Sequence, residues 1–225
     1  MFNTKFLFTL TLLNLLTLTS NSVLSTSLET KDITSLEKKW LTTTVEISPY
    51  DHLFRSISEK EGNDWRLLCA MAYHESRFRT DVVSHCGARG IMQVMPRVAQ
   101  QFDVTPEQLD NVESNIYVAN QVMTLIEKML KLPSTTSEED RLKMTIAAYN
   151  CGVGRIFDAR RLANSFGEDS QSWEVISQYL VKMNDPDYYQ HEVVQHGRFK
   201  GAGQTVAYVR NVMGHYEDYC LLAMR

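Results

Sequence analysis

The stretch DWRLLCAMAYHESRF, Asp64 to Phe78, decides the fold. Trp65, Leu68, Cys69 and Ala72 recur at intervals of three and four, which makes one face of a helix apolar. Asp64 opens the helix as an N-cap or first-turn acid, able to take a free backbone N–H. Near the far end stands Glu75, seven residues after Leu68, four after Met71 and three after Ala72. Those spacings set its carboxylate on or beside the apolar face. A carboxylate there loses hydration and its pKa rises, so it can hold a proton near neutral pH and give it to a leaving oxygen. The ordinary alternative is a helix-end glutamate paired with Arg77 or Arg79, and position alone favours it.

Helical patterning extends outward from this segment, from Pro49 nearly to the end. Between Ser114 and Lys131, Ala119, Val122, Met123, Ile126, Met129 and Leu130 keep helix spacing, and Pro133 closes the run. Ser137 reads as the N-cap of a helix through Leu142, Ile146 and Tyr149. Gly152 and Gly154 interrupt, and a further helix is expected over 153–164. Ser172 heads a short one through Leu180. The last, from about Gln204, carries Val206, Val209, Met213, Tyr216 and Cys220 at three-four spacing. No period-two run is long enough to build a sheet. The expected fold is mostly α, a compact set of packed helices.

At the N-terminus, Lys5 precedes an uncharged apolar run from Phe6 to Leu18, too short to span a membrane comfortably. Residues 1–25 read as a signal peptide, with an uncleaved anchor as the alternative, 26–45 as a Ser/Thr-rich leader, and 46–225 as one domain outside the cytoplasm. Cys69, Cys86, Cys151 and Cys220 suit an oxidising compartment. They allow three complete pairings, and none has the C-x-x-C spacing of a zinc or redox site. Cys69, on the apolar stripe, also reads as a plain buried thiol. Net charge is −4 with no basic stripe, which argues against nucleic acid as a partner. His191 and His196 in HEVVQH are five apart, so they leave one helical face and make a poor metal pair. No metal or cofactor is expected. His74 points about 100° around the helix from Glu75, toward the surface or a cleft edge.

Three further stretches carry possible chemistry. In GARGIMQVMP, Gly87 to Pro96, two glycines permit a tight backbone path that brings Gln93 close to a ligand, and an amide both gives and takes hydrogen bonds with sugars. In AAYNCGVG, Ala147 to Gly154, a helix ends at a Gly-rich turn, so Tyr149 and Asn150 can project from it; no Lys-Ser/Thr follows, which excludes a phosphate loop. In QTVAYV, Gln204 to Val209, Tyr208 lies off the main apolar stripe and can line a cleft.

Taken in order, Glu75-Ser76, G-x-x-G-x-M-Q-x-M-P, A-Y-N-x-G-x-G and x-T-x-x-Y-V resemble the soluble-lytic-transglycosylase-like catalytic domain, nearest the membrane-bound murein transglycosylase F type, over roughly Tyr50 to Tyr219. The resemblance implies a lysozyme-like helical domain with a long cleft. It implies cleavage of the β-1,4 bond between N-acetylmuramic acid and N-acetylglucosamine in peptidoglycan, with Glu75 as the one catalytic acid and base and 1,6-anhydromuramoyl ends as product. It carries over Ser84 as a polar partner near the reaction centre. Met92 and Gln93 would line the glycan cleft, Tyr149 and Asn150 would support the acid and the sugar, and Tyr208 would face Glu75 across the cleft. Gln204 stands where such domains have Glu, which removes a charge at the cleft edge. Cys86 and Cys151 sit inside two of the motifs, and a disulfide between them would tie the loop after Glu75 to the Tyr149 turn. Such proteins act in the periplasm or outer envelope, in some cases beside envelope or secretion machinery. Two rivals remain: a water-using muramidase, for which Asp81 is the nearest extra acid, and a catalytically silent glycan-binding or scaffold protein.

Overall fold

The computed structural model describes residues 46–223. The signal peptide expected over 1–25 and the leader expected over 26–45 lie outside the described residues. Among the described residues every regular element is helical: α1 (Asp51–Ser58), α2 (Trp65–Ser76), α3 (Pro96–Ala99), α4 (Val112–Leu130), α5 (Glu138–Cys151), α6 (Val153–Ser165), α7 (Trp173–Lys182), α8 (Pro186–Tyr189) and α9 (Ala202–Ala223). Two 3-10 turns, Gln100–Phe102 and Gln108–Asp110, lead into α4. The only β pairings among these residues are isolated bridges that join Arg89 to Val83 and to Val94. The mostly α expectation holds.

Helix α2 is the axle of the domain. The pattern predicts one apolar face, but all six residues from Leu67 to Ala72 are buried. A helix covered on every side is a core helix, and α9 and α1 pack against this one. Burying Leu68 or Met71 contributes roughly 1.5–3 kcal/mol each. Asp64 is the N-cap: it accepts the Arg66 N–H at 2.9 Å and the Tyr216 hydroxyl of α9 at 2.9 Å. One carboxylate therefore both starts α2 and fastens the last helix to it. Cys69, on this helix, is fully buried, and burial pushes its thiol well up.

The other termini follow local rules with some exchanges of partner. Asn111 caps α4 by accepting the Ser114 N–H, and the helix begins at Val112, two residues ahead of the expected start. Ser137 caps α5 as anticipated, accepting the Asp140 N–H at 3.0 Å. Ser172 stands at the head of α7, but its side chain makes no cap bond; Asp140 of α5 accepts the Trp173 N–H instead. The short α8 was not anticipated. Asp185 caps it and Pro186 fills its first turn, the arrangement proline tolerates best.

Candidate active site

Glu75 lies in the last turn of α2, where the chain breaks abruptly. Arg77 and Phe78 both take left-handed backbone conformations, with φ of 57° and 60°. Such conformations are disfavoured for side-chain-bearing residues, and they recur at functional sites. They turn both nearby arginines away from Glu75. The Arg77 guanidinium lies over the Tyr73 ring, 4.0 Å from its centre, and Arg79 Nε donates to the Ser76 carbonyl at 3.1 Å. The ion-paired helix-end alternative is therefore not adopted.

Glu75 instead meets α9. The Tyr208 hydroxyl donates to its Oε1 at 2.6 Å. Burial raises the Glu75 pKa from 4.5 to about 7, and the Tyr208 bond, which favours the charged form, offsets only part of that rise. Tyr208 and Tyr149 are in turn pushed well above the ordinary phenol range, by burial first and then by the Glu75 charge. Both phenols stay protonated donors beside a carboxyl group that can exchange its proton near neutral pH.

The stretch after the break forms the second wall. Arg89 and Val94 exchange both backbone hydrogen bonds, at 2.9 and 3.0 Å, around a tight turn. Gly90 has φ of 75°, and a Cβ there would stand 2.4 Å from Nδ2 of Asn115, so only glycine fits. Asn115, 1% exposed, reaches into this turn from α4. Its Oδ1 accepts the Met92 N–H, and its Nδ2 donates to the Arg89 and Leu109 carbonyls, each at 2.9 Å. The Ser76 hydroxyl, next to Glu75, donates to the Ile91 carbonyl at 2.8 Å and ties the turn to α2.

The expected site residues divide at this turn. Met92 was expected to line the cleft, but it is 0% exposed. The Asn115 bond to its N–H fixes the backbone so that the side chain enters the core. Met92 contributes instead the carbonyl that accepts the Tyr149 hydroxyl at 2.9 Å. Gln93 is partly open, with φ of 50°. Its amide nitrogen is taken by the Val82 and Gly90 carbonyls, at 3.1 and 2.9 Å, which leaves Oε1 as its free group. Ser84 closes the small loop ahead of the turn by accepting the Ala88 N–H at 2.9 Å, and it makes no hydrogen bond to Glu75. Asn150 is exposed, and its Oδ1 accepts the hydroxyl of buried Thr205 at 2.8 Å. Gln204 is exposed in the first turn of α9. Asp81, the acid of the muramidase rival, is exposed as well.

The expected Cys86–Cys151 disulfide does not form, and all four cysteines are free thiols. Cys86 is exposed on its loop, whereas Cys151 points back at the Gly152 carbonyl and burial pushes its thiol up to about 12. The bond from Tyr149 to Met92 joins the two motifs in its place.

Sequence reasoning passed over Asn115, Thr205 and Ser76. Thr205 lies inside a quoted motif and Ser76 beside the acid, so both had a signal. Asn115 had none, because the turn it braces, at Arg89 and Met92, lies more than twenty residues away in sequence.

Comparison with known proteins gives this arrangement relatives. The family model described as the transglycosylase SLT domain matches residues 52–172, a span that holds Glu75, the Gly90 turn and Tyr149. Membrane-bound lytic murein transglycosylase F of Stutzerimonas stutzeri (strain A1501) is 33% identical over 168 residues, covering 75% of this chain and 33% of the relative. Membrane-bound lytic murein transglycosylase F 1 of Alkalilimnicola ehrlichii is 37% identical over 168 residues, with the same two coverages. The chain thus spans about a third of the length of these curated relatives. Among solved structures, an inactive Glu-to-Gln variant of lytic transglycosylase Slt from Pseudomonas aeruginosa superposes with a TM-score of 0.51 at 21% identity, covering 76% of this chain and 24% of that one. The shared fold is the lysozyme-like helical domain. With more than half of its length matched, from the helix before Glu75 to beyond the Tyr149 turn, the chain belongs to the transglycosylase SLT domain family.

Proposed function

We propose that the protein is a lytic transglycosylase of the cell envelope. It cleaves the β-1,4 bond between N-acetylmuramic acid and N-acetylglucosamine in peptidoglycan, with Glu75 as both acid and base. One observation carries this reading: Glu75 is held near pKa 7 by burial, bonded to Tyr208 and, among the described residues, paired with no cation. Family membership supports the reaction class, and the relatives' names supply murein as substrate and the membrane as location. The signal-peptide reading of the N-terminus agrees with an exported protein. The solved Slt variant, inactive after one Glu-to-Gln change, supports dependence on a single glutamate.

The reaction follows from these groups. Protonated Glu75 donates its proton to the glycosidic oxygen as the bond from C1 of muramic acid breaks, and N-acetylglucosamine leaves with a free hydroxyl. The muramic acetamido oxygen stabilises the cation at C1, so no second carboxylate is needed. Glu75, now ionised and steadied by the Tyr208 hydroxyl, takes the proton of the C6 hydroxyl. O6 then attacks C1 and closes the 1,6-anhydro ring. Glu75 ends as it began, protonated, and no water is consumed. Tyr149, Asn150 and the free Oε1 of Gln93 present hydrogen-bonding groups to the sugars.

The test is mass spectrometry of purified peptidoglycan digested with wild type and with Glu75→Gln. Anhydromuropeptides from wild type alone support the reading. Ordinary reducing ends, one water heavier, would make the enzyme a hydrolase. No release from a folded wild-type sample would sink the enzymatic reading and favour a glycan-binding protein.

A further inference from the structure

One titratable pair beside Glu75 takes no part in the reaction above. His74, the residue before Glu75, meets α9 at His215: Nε2 of the first lies 3.0 Å from Nδ1 of the second. His215 stands seven residues after Tyr208, two helical turns along the same face of α9. The imidazole pair and the Tyr208–Glu75 bond are thus neighbouring ties between the same two helices. The His74 and Tyr208 rings meet edge to face, with 6.3 Å between their centres. Tyr73 packs against both imidazoles, at 5.5 and 4.7 Å, and Tyr219 lies 6.0 Å from the His215 ring.

The contact depends on one hydrogen. The Asn211 carbonyl lies 3.1 Å from the same Nδ1 of His215, and a carbonyl can only accept. The hydrogen therefore belongs on His215 Nδ1, shared between that carbonyl and a bare His74 Nε2, and His74 is neutral. A proton added at His74 Nε2 sets two N–H donors against each other, or obliges His215 to shed its Nδ1 hydrogen and with it the bond to Asn211. Either outcome breaks a hydrogen bond that fixes the His215 ring against α2. The surroundings oppose the charge as well. Burial first, then His215 and Arg77, hold His74 below the usual imidazole range. The other titratable groups about the pair are Tyr73 and Glu75 from α2, and Tyr208, Asp218 and Tyr219 from α9. The phenols are neutral, and Glu75 keeps its proton below about 7. Asp218, one turn past His215, is exposed and, among the described residues, makes no ion pair with it.

We propose that His215, acting through neutral His74, is a positioning residue: the imidazole contact holds α9 so that Tyr208 meets Glu75, and protonation of His74 releases that hold. The proposal rests on the transglycosylase reading for the reaction it serves. Protonated below about 7, Glu75 by itself would keep the enzyme armed far into the acid range. The imidazole contact adds an acid limit that the carboxyl group lacks. Once Tyr208 is no longer held, Glu75 loses the hydroxyl that steadies its ionised form after it has given up its proton. Activity is then confined to the interval between the titration of His74 and that of Glu75.

Two variants keep the contact and remove its sensitivity. In His74→Gln an amide stands in for Nε2 and does not titrate. In His215→Asn an amide stands in for Nδ1, and by turning over it offers His74 either an N–H or an oxygen. The first readout is kcat/KM on purified peptidoglycan, compared between pH 6.5 and pH 5. Wild type should lose about threefold to tenfold over that interval, and each variant should keep most of its own pH 6.5 value. The second readout needs no turnover. In protein labelled with 13C at tyrosine Cζ, the Tyr208 signal, identified by its absence from Tyr208→Phe, should move twice in wild type, near 7 with Glu75 and again below 6.5 with His74. His74→Gln should lose the second step. His215→Asn, in which His74 still titrates but the contact survives, should shrink it severalfold. A second step as large in His215→Asn as in wild type reports only a nearby charge and overturns the proposal, as does an acid limb unchanged in both variants. Should one variant fail to fold, the other decides by the same criterion. A wild-type protein that cleaves nothing at any pH refutes the transglycosylase reading, and the Tyr208 signal then decides this proposal alone.

Discussion

Replacing Glu75 with Gln should stabilise the protein, and by an amount that depends on pH. The folded state raises this carboxyl group from 4.5 to about 7, chiefly by burial. In the unfolded chain it ionises near 4.5; in the folded one it stays protonated until about 7. Below the lower value both states hold the proton and the shift has no effect. Between the two, the unfolded state loses its proton first, so stability falls as pH rises; above about 7 the loss is complete. A shift of this size corresponds to about 3 kcal/mol. Glutamine is nearly isosteric, has no charge to desolvate, and can still accept the Tyr208 hydroxyl. At pH 8 the variant should therefore melt higher by roughly 6–12 °C. At pH 4 the two should nearly coincide. Urea unfolding of both proteins across this range is the assay, with the difference between them as the quantity of interest. That difference cancels His74, whose pH dependence runs the opposite way. Equal stability at pH 8, or a gap that widens on acidification, would refute the claim that Glu75 is held protonated by its surroundings.

Other tests probe the supports. Tyr208→Phe removes a hydrogen bond to the charged form of Glu75, so its pKa should rise further by about one to two units, seen as a shift of the alkaline limb of kcat/KM. Asn115→Ala strands the Met92 N–H and two carbonyls inside the protein; a loss of about 2–4 kcal/mol in urea is expected, along with lower activity as the Tyr149 anchor loosens. His74 Nε2 lies 3.0 Å from His215 Nδ1, and burial and then the neighbouring His215 hold His74 below the usual imidazole range. Stability tied to His74 is present above pH 6.5 and is lost as pH falls, so His215→Gln should flatten the acid side of the stability curve. A thiol reagent should titrate Cys86 quickly in the native protein and reach Cys69 only on unfolding; two thiols missing after denaturation would restore the disulfide.

Much of this was written locally. The Asp64 and Ser137 caps, the Gly-broken turn after Tyr149 and the apolar stripe of α2 each depend on residues within one helical turn of one another. Sequence could not tell that α2 is covered all round, because a stripe with extra alanines looks the same whether solvent or α9 lies beyond it. Tyr208 came from resemblance to a family, since its 133-residue separation from Glu75 leaves no trace in local spacing. Met92 misled because its neighbour Gln93 stays partly open, and one step along a tight turn reverses which side chain meets solvent. Asn115 was invisible for the same reason as Tyr208: its importance lies entirely in what the fold brings to it.

The enclosure of α2 has a mechanical consequence. Amides in its enclosed middle, Leu67 to Ala72, should exchange only when the whole domain opens. Glu75, three residues past that middle, hangs from a stiff support, and neighbouring loops are the parts free to yield. On the proposed reading Glu75 is a fixed post, and the bending needed to bring a scissile oxygen onto it falls on the glycan.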